Sequence, residues 1–258
     1  MKKKIIITAA VLIFLTASAY SQTAREISDK SSNNITFKSM ETALTLKIYD
    51  AKGRIRIRQV TTASKKFGAV TKTVMKFTAP ADVKGTAILI YDYENKDDAM
   101  WIYMPAIRKI RRIISSEKSK NFMGSEFTNA DMSKPNMNDF NYKILSSETY
   151  KNRLCYKIET TCKNEDIEDE YGFSKKIVWI DKTTYLCYKI EFYDFDGELH
   201  KIQTIEQYKK QANGKYFAFY MKTENKQNGR QSVMSINKFQ LGSALNENKF
   251  TPAMLEKL

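Results

Sequence analysis

Three glycine-containing turns, Asp196-Gly197, Asn213-Gly214 and Asn228-Gly229, cut the last third of the chain into short runs that alternate apolar and polar residues. Such dipeptides supply the positive φ that a tight hairpin connection demands, and β-branched or aromatic residues flank each one. The runs lie at 176–181, 186–193, 200–208, 216–224 and 232–240. Connections this short allow only antiparallel neighbours, which commits the region to a meander. Upstream, Leu44, Leu46 and Ile48 alternate with Thr45 and Lys47, the period of a half-buried strand. After a turn at 51–53 the chain returns as Arg54-Ile55-Arg56-Ile57-Arg58, with isoleucines on one face and arginines on the other. Helices are scarce. One short polar helix around Ile27 is expected, and another at 251–255, where Thr251 is the cap and Pro252 takes the first turn. The fold class is mainly β: a single, strongly curved antiparallel sheet.

The amino terminus carries an export pattern. Lys2, Lys3 and Lys4 precede an apolar run at 5–15 broken only by Thr8, and Ala19-Tyr20-Ser21 offers small residues for cleavage. The run is about half the roughly 20 residues that a spanning helix needs. The expected division is a cleaved signal peptide at 1–21 and one domain at 22–258, soluble and periplasmic. No cysteine follows the cleavage point, so no lipid anchor is expected. The net charge of +14 falls to +11 once the three signal lysines are removed. A positive balance of this size favours anionic partners such as a membrane surface, and an exported protein seldom meets nucleic acid.

Enzyme chemistry finds little support. His200 is the one histidine, and no zinc-ligand spacing, phosphate-cradling loop or nucleophile elbow accompanies it. No cofactor and no metal site is expected. The carboxylates of 165–170 match no calcium-loop spacing and read as a solvated loop. Cys155, Cys162 and Cys187 are odd in number, and LCYKIE occurs twice, at 154–159 and 186–191. In a meander the two copies are second neighbours, about 9–10 Å apart, farther than a disulfide reaches. The thiols are expected to be unbridged small hydrophobes.

The stretch 74–131 has the most distinctive landmarks. They are Phe77, Pro80, Gly85-Thr86, Leu89, Trp101-x-Tyr103-x-Pro105, Arg108, Arg111-Arg112, Phe122-Met123-Gly124-Ser125-x-Phe127 and Asp131. This region resembles the outer-membrane lipoprotein-sorting proteins, the LolA-like group, and the likeness continues as a strand pattern through the rest of the mature chain. The resemblance implies a non-enzymatic, incomplete or half-open β-barrel, with a few short helices as lid or plug. It implies a hydrophobic concavity that holds the acyl chains of a lipoprotein or lipid cargo. It also implies an inner-membrane transporter that loads the cargo and an outer-membrane acceptor that receives it. No arginine closely follows Pro80, a departure from the pattern of the best-studied carriers. Two other roles fit the same residues: a lipid-binding accessory to an RND-type exporter, and an interaction module that has lost the cavity.

Candidate residues follow from that frame. Met75, Phe77, Leu89, Tyr91, Trp101 and Tyr103 are candidates for a lipid-cavity lining, although the same alternation also suits an ordinary core. Pro80 and Gly85 belong to the rim, since Pro80 cannot donate to a ladder and Gly85 permits a turn. Phe122, Met123, Gly124 and Phe127 sit in a polar loop at 115–139, expected to be a lid whose apolar residues cover the cavity when it is empty. Five methionines between Met100 and Met137 suit a surface that adapts to varied apolar shapes. Arg108, Lys109, Arg111 and Arg112 are candidates for a patch that docks on a partner or an anionic surface.

Overall fold

The computed structural model describes residues 22–94 and 96–257; the expected signal peptide at 1–21 lies outside them. Helix α1 (Ala24–Asn34) begins at a capping box. The Thr23 hydroxyl accepts from the Glu26 amide at 3.2 Å, and the Glu26 carboxylate accepts from the Thr23 amide at 2.9 Å. Thirteen strands follow. They are β1 (Ser39–Tyr49), β2 (Ile55–Phe67), β3 (Val70–Ala79), β4 (Ala87–Tyr93), β5 (Ala99–Met104), β6 (Lys109–Ile113) and β7 (Phe140–Tyr150). Beyond them come β8 (Arg153–Cys162), β9 (Lys175–Asp181), β10 (Cys187–Tyr193), β11 (Leu199–Lys210), β12 (Tyr216–Asn225) and β13 (Gln231–Leu241). Helix α2 (Glu165–Tyr171) stands between β8 and β9.

All thirteen strands join one antiparallel sheet in the order β6-β5-β4-β3-β2-β1-β13-β12-β11-β10-β9-β8-β7. Every pairing is a hairpin neighbour except β1 with β13, which joins two meanders. The sheet does not close, because β6 and β7 remain as free edges. The chain between them, residues 114–139, is the plug of this open barrel.

Register shows which face the plug occupies. Val178 pairs with Ile190, Ile190 with Gln203, Gln203 with Thr223, Thr223 with Ser232, Ser232 with Ile48, and Ile48 with Arg56. Residues opposite one another share a face, so this line crosses the inner face. Ala24 and Ile27 of α1 pack at one end of it, on Ile158, Val178 and Ile180. Phe122 and Phe127 of the plug pack at the other, on Leu46, Ile48, Val60, Phe77 and Ile88. The outer face carries a second cluster. There Phe250 and Leu255 of the C-terminal segment cover Val74, Ala87, Leu89 and Tyr103.

One local expectation needs correction, and two others gain detail. The acidic run is helix α2 rather than a loop. Asn164 caps it by accepting from the Ile167 amide at 3.0 Å, and Glu165, Asp166 and Glu168 occupy its first turn, where the helix dipole favours negative charge. The 251–255 element is a 3-10 helix, Pro252–Lys257. In the first part of β2 the isoleucines are the ones turned out: Ile55 and Ile57 are about half exposed, whereas Arg58 is 9% exposed. The register explains this orientation, since Arg56 and Arg58 lie opposite Ile48 and Leu46, which belong to the inner core.

Candidate functional site

The plug is made of four short 3-10 turns, Ser115–Glu117, Phe122–Gly124, Ala130–Met132 and Met137–Asp139. With so little regular structure it depends on side chains for its position. Phe122 and Phe127 are each 1% exposed and supply its apolar underside, joined by Met123 and Met132. The Phe122 and Phe127 backbones meet through an amide-to-carbonyl bond of 2.7 Å, closing a tight loop around Gly124, whose φ of +76° suits glycine.

A polar cluster pins this loop to the sheet. The Glu126 carboxylate is 3% exposed and stands 2.9 Å from Arg230 Nε. That contact is an ion pair rather than an aligned hydrogen bond, because neither atom meets hydrogen-bond geometry. Arg230 Nη2 donates to the Gly124 carbonyl at 2.9 Å, and Asn225 Nδ2 donates to Glu126 at 3.0 Å. The Glu126 amide donates to Ser232 Oγ at 2.9 Å. His200 Nε2 lies 3.2 Å from Asn225 Nδ2, and burial lowers the pKa of the imidazole. The one histidine therefore abuts the plug anchor.

Beyond the plug's second half the inner face opens into a cavity of about 470 Å³. Its walls come from four places: the end of α1 with Phe37, the plug at 130–135, the strands around Ile90, and β9–β11. Phe37 also heads an aromatic group, 5.7 Å from the ring of Phe217 and 5.5 Å from Phe239. A smaller space of about 350 Å³ adjoins the cavity, sharing Asp92, Glu94, Lys134, Pro135 and Tyr171 with it. Burial, with the Asp98 carboxylate beside it, raises Asp92 to about 6. The combined surface is mixed: apolar walls with a charged mouth. A volume of this order is within the range of small-ligand sites.

The six candidates for a cavity lining do not share a face. Met75 and Phe77 are on the inner face in the plug cluster. Leu89, Tyr91, Trp101 and Tyr103 are on the outer face, where the Tyr91 hydroxyl donates to the Phe250 carbonyl. Alternation alone cannot say which face is inner, and the C-terminal segment that covers the outer one is remote in sequence. Ile88, Ile90, Met100 and Ile102 stand on the inner face instead, and each is next in sequence to one of the four on the outer face.

Pro80 and Gly85 bound the β3–β4 loop, where the Gly85 amide donates to the Phe77 carbonyl at 2.9 Å and Val83 tucks into the inner cluster. A side chain at Gly85 would meet Pro105 at 3.5 Å, in a backbone conformation of φ +86°. The basic residues belong to an edge strand and its entry turn rather than to a helix. Arg108 precedes β6, while Lys109 and Arg111 pair with Met104 and Ile102, and Arg112 pairs with Trp101. Arg111 and Arg112 thus project from opposite faces, and Arg111 is paired with Glu117 at 2.7 Å. Charge on an exposed edge also discourages pairing with another chain.

Cys155 and Cys162 are buried, Cys187 is half-buried, and none is bridged. Among the described residues, no group of three or more His, Cys, Asp or Glu is placed to hold a metal ion. Among the same residues, no helix is long and apolar enough to cross a membrane.

Comparison with known proteins agrees with this geometry. A family model described as "uncharacterized protein" matches residues 69–257. No curated protein matches the sequence. A domain from Vibrio parahaemolyticus described as an outer membrane lipoprotein-sorting protein superposes with a TM-score of 0.83 at 27% identity, over 90% of this chain and 98% of its own. A DUF1329 family protein from Desulfovibrio piger gives a TM-score of 0.83 at 26% identity, over 90% of this chain and 97% of its own. A LolA superfamily protein from Nitrosomonas europaea shares the fold, with a TM-score of 0.71 at 21% identity over 90% and 98% of the two chains. The chain belongs to the family that the model matching residues 69–257 describes, and it shares its fold with the lipoprotein-sorting domain and with the LolA superfamily protein.

Proposed function

We propose that this chain is a non-enzymatic periplasmic carrier that shields acyl chains of lipoproteins or lipids during transfer toward the outer membrane. One observation carries the reading: an open barrel whose inner apolar face is covered by a separately anchored plug, with Phe122 and Phe127 as its buried contacts. An acyl chain in water is costly, at about 0.8 kcal/mol for each CH₂ left unburied. Swinging the plug aside exchanges two aromatic side chains for that chain on the same surface. The similarity to a lipoprotein-sorting domain supports the cargo class. The export pattern at the amino terminus supports the compartment. Loading by an inner-membrane transporter and release to an outer-membrane acceptor complete the cycle that the family likeness suggests, with the β6 edge and its cations available for docking on a partner or an anionic surface.

The test is native mass spectrometry of the protein isolated from its periplasm, followed by organic extraction. A co-purifying acylated mass is the expected result. A protein that is free of lipid and takes up no fluorescent fatty acid would exclude the carrier role.

A further inference from the structure

The cavity behind the plug holds two polar groups with nothing to bind. Lys176 of β9 and Gln203 of β11 both line it. Among the described residues, neither side chain forms a hydrogen bond or an ion pair, and Gln203 is only 8% exposed. The Lys176 ammonium is 5.1 Å from the ring of Phe140 and 5.2 Å from that of Phe173, so aromatic faces surround it where a carboxylate would be expected. Asp131 of the plug is close enough to favour the charge but makes no ion pair with it, and burial lowers the lysine pKa. Lys176 is half-buried and Gln203 buried, and both reach the cavity without a partner among the described residues, which leaves a cation and an amide free to meet a ligand there.

The neighbours indicate what is missing. Lys176 pairs with Phe192 across the β9–β10 ladder, and Gln203 pairs with Ile190 across β10–β11. Cation, amide donor and apolar wall therefore share the inner face within one strand of each other. Phe37, Ile90 and Met132 enclose the cavity from other sides. An apolar pocket with a few convergent polar groups orients a ligand by its one polar end. A cation and an amide N–H₂ together complement an oxyanion.

We infer that this cavity binds the anionic head of a single-chain amphiphile, a carboxylate or a phosphate, through Lys176 and Gln203, with its acyl chain along the inner face. The inference rests on the carrier reading and narrows the cargo. An esterified and N-acylated lipoprotein terminus offers only neutral carbonyl acceptors at its acylated end and would leave the Lys176 charge uncompensated.

The test titrates the purified protein with palmitic acid, palmitoyl lysophosphatidic acid and monopalmitoylglycerol, each below its micelle concentration. At least one anionic ligand is expected to bind tenfold or more tightly than the neutral glyceride, and which one does so identifies the head. In Lys176→Met the preference is expected to fall to within twofold. In Gln203→Leu it is expected to fall partway. Equal affinities in the unaltered protein overturn the anionic site alone, and that comparison stands even where a variant fails to fold. A preference retained in folded Lys176→Met also overturns it. Binding of none of the three removes the carrier reading as well.

Discussion

The Glu126 carboxylate of the plug stands 2.9 Å from Arg230 Nε at the turn between β12 and β13, and the two partners differ sharply in their access to water. Glu126 has 3% of its side chain exposed, against 32% for Arg230. The pair is therefore asymmetric under mutation. Arg230→Met strands a buried carboxylate and is expected to cost about 3–5 kcal/mol. Glu126→Gln leaves a guanidinium that can turn to solvent and keeps an acceptor for Asn225, so about 1–3 kcal/mol is expected. Chemical denaturation of the two variants gives the order, and the reverse order would mean that the anchor is carried by other contacts.

The plug and the sheet should respond differently to the loss of an aromatic ring. Phe77 in β3 and Phe127 in the plug are equally buried in one cluster. Phe77→Ala is expected to cost about 3–5 kcal/mol of global stability. Phe127→Ala is expected to cost less, because the plug can detach while the sheet stays folded. Hydrogen exchange should then speed up in residues 120–130 and remain slow in β12 and β13. Equal global losses with no local change in exchange would argue that plug and sheet open only together.

The outward isoleucines of β2 give a simple contrast. Ile57→Thr removes an exposed side chain and is expected to shift stability by no more than about 0.5 kcal/mol. Leu46→Ala, at a position with no exposure, should cost about 2–5 kcal/mol. A large loss from Ile57→Thr would place that residue inside.

This strand also shows where the chain was legible and where it was not. Its period-two pattern and its return after the 51–53 turn are plain from the residues, since pleating requires them. Which side faces inward is not, because that depends on Ile48 and Leu46 across the ladder and on a plug some 65 residues later. The same gap explains the divided lining set. Met75 and Phe77 are on the plug side, while Leu89, Tyr91, Trp101 and Tyr103 lie under the C-terminal segment.

Asp92, at the mouth of the cavity, makes stability depend on pH. Its ordinary value of 3.8 is raised to about 6 by burial and by Asp98. The fold favours the protonated acid, so this contribution to stability is complete below about 3.8 and is lost as pH rises through 6. Asp92→Asn should therefore be more stable than the parent at pH 7.5, with the gap closing by pH 4. Asparagine still offers an oxygen to the Lys134 amide, which donates to Asp92 at 3.2 Å. Denaturation curves at the two pH values decide, and a gap that widens in acid would reverse the assignment.

The thiols should be inert in the native protein. Burial pushes Cys162 and Cys187 up to about 12 and raises Cys155 as well. The thiolate is the reactive form, so iodoacetamide at pH 8 is expected to leave all three unmodified when folded and to alkylate all three in denaturant. Rapid labelling of any one in the native state would show that its strand opens readily.

Local physics wrote most of the architecture into the chain. Alternation with period two, and turns that need positive φ at Gly197, Gly214 and Gly229, specify hairpins using only neighbouring residues. Those hairpins place β9 through β13 close to where the residues alone put them. The aromatic residues of the 115–139 loop were legible too, whereas its position between the two free edges depends on the strand order of the whole sheet. Long-range closure supplied the rest. Pairing of β1 with β13 brings residues some 190 positions apart into register, and curvature then selects one face as the interior. The Glu126–Arg230 anchor and the convergence of Lys176 with Gln203 exist only after that step, because each joins residues on separate elements whose spacing in sequence carries no information about their distance in space.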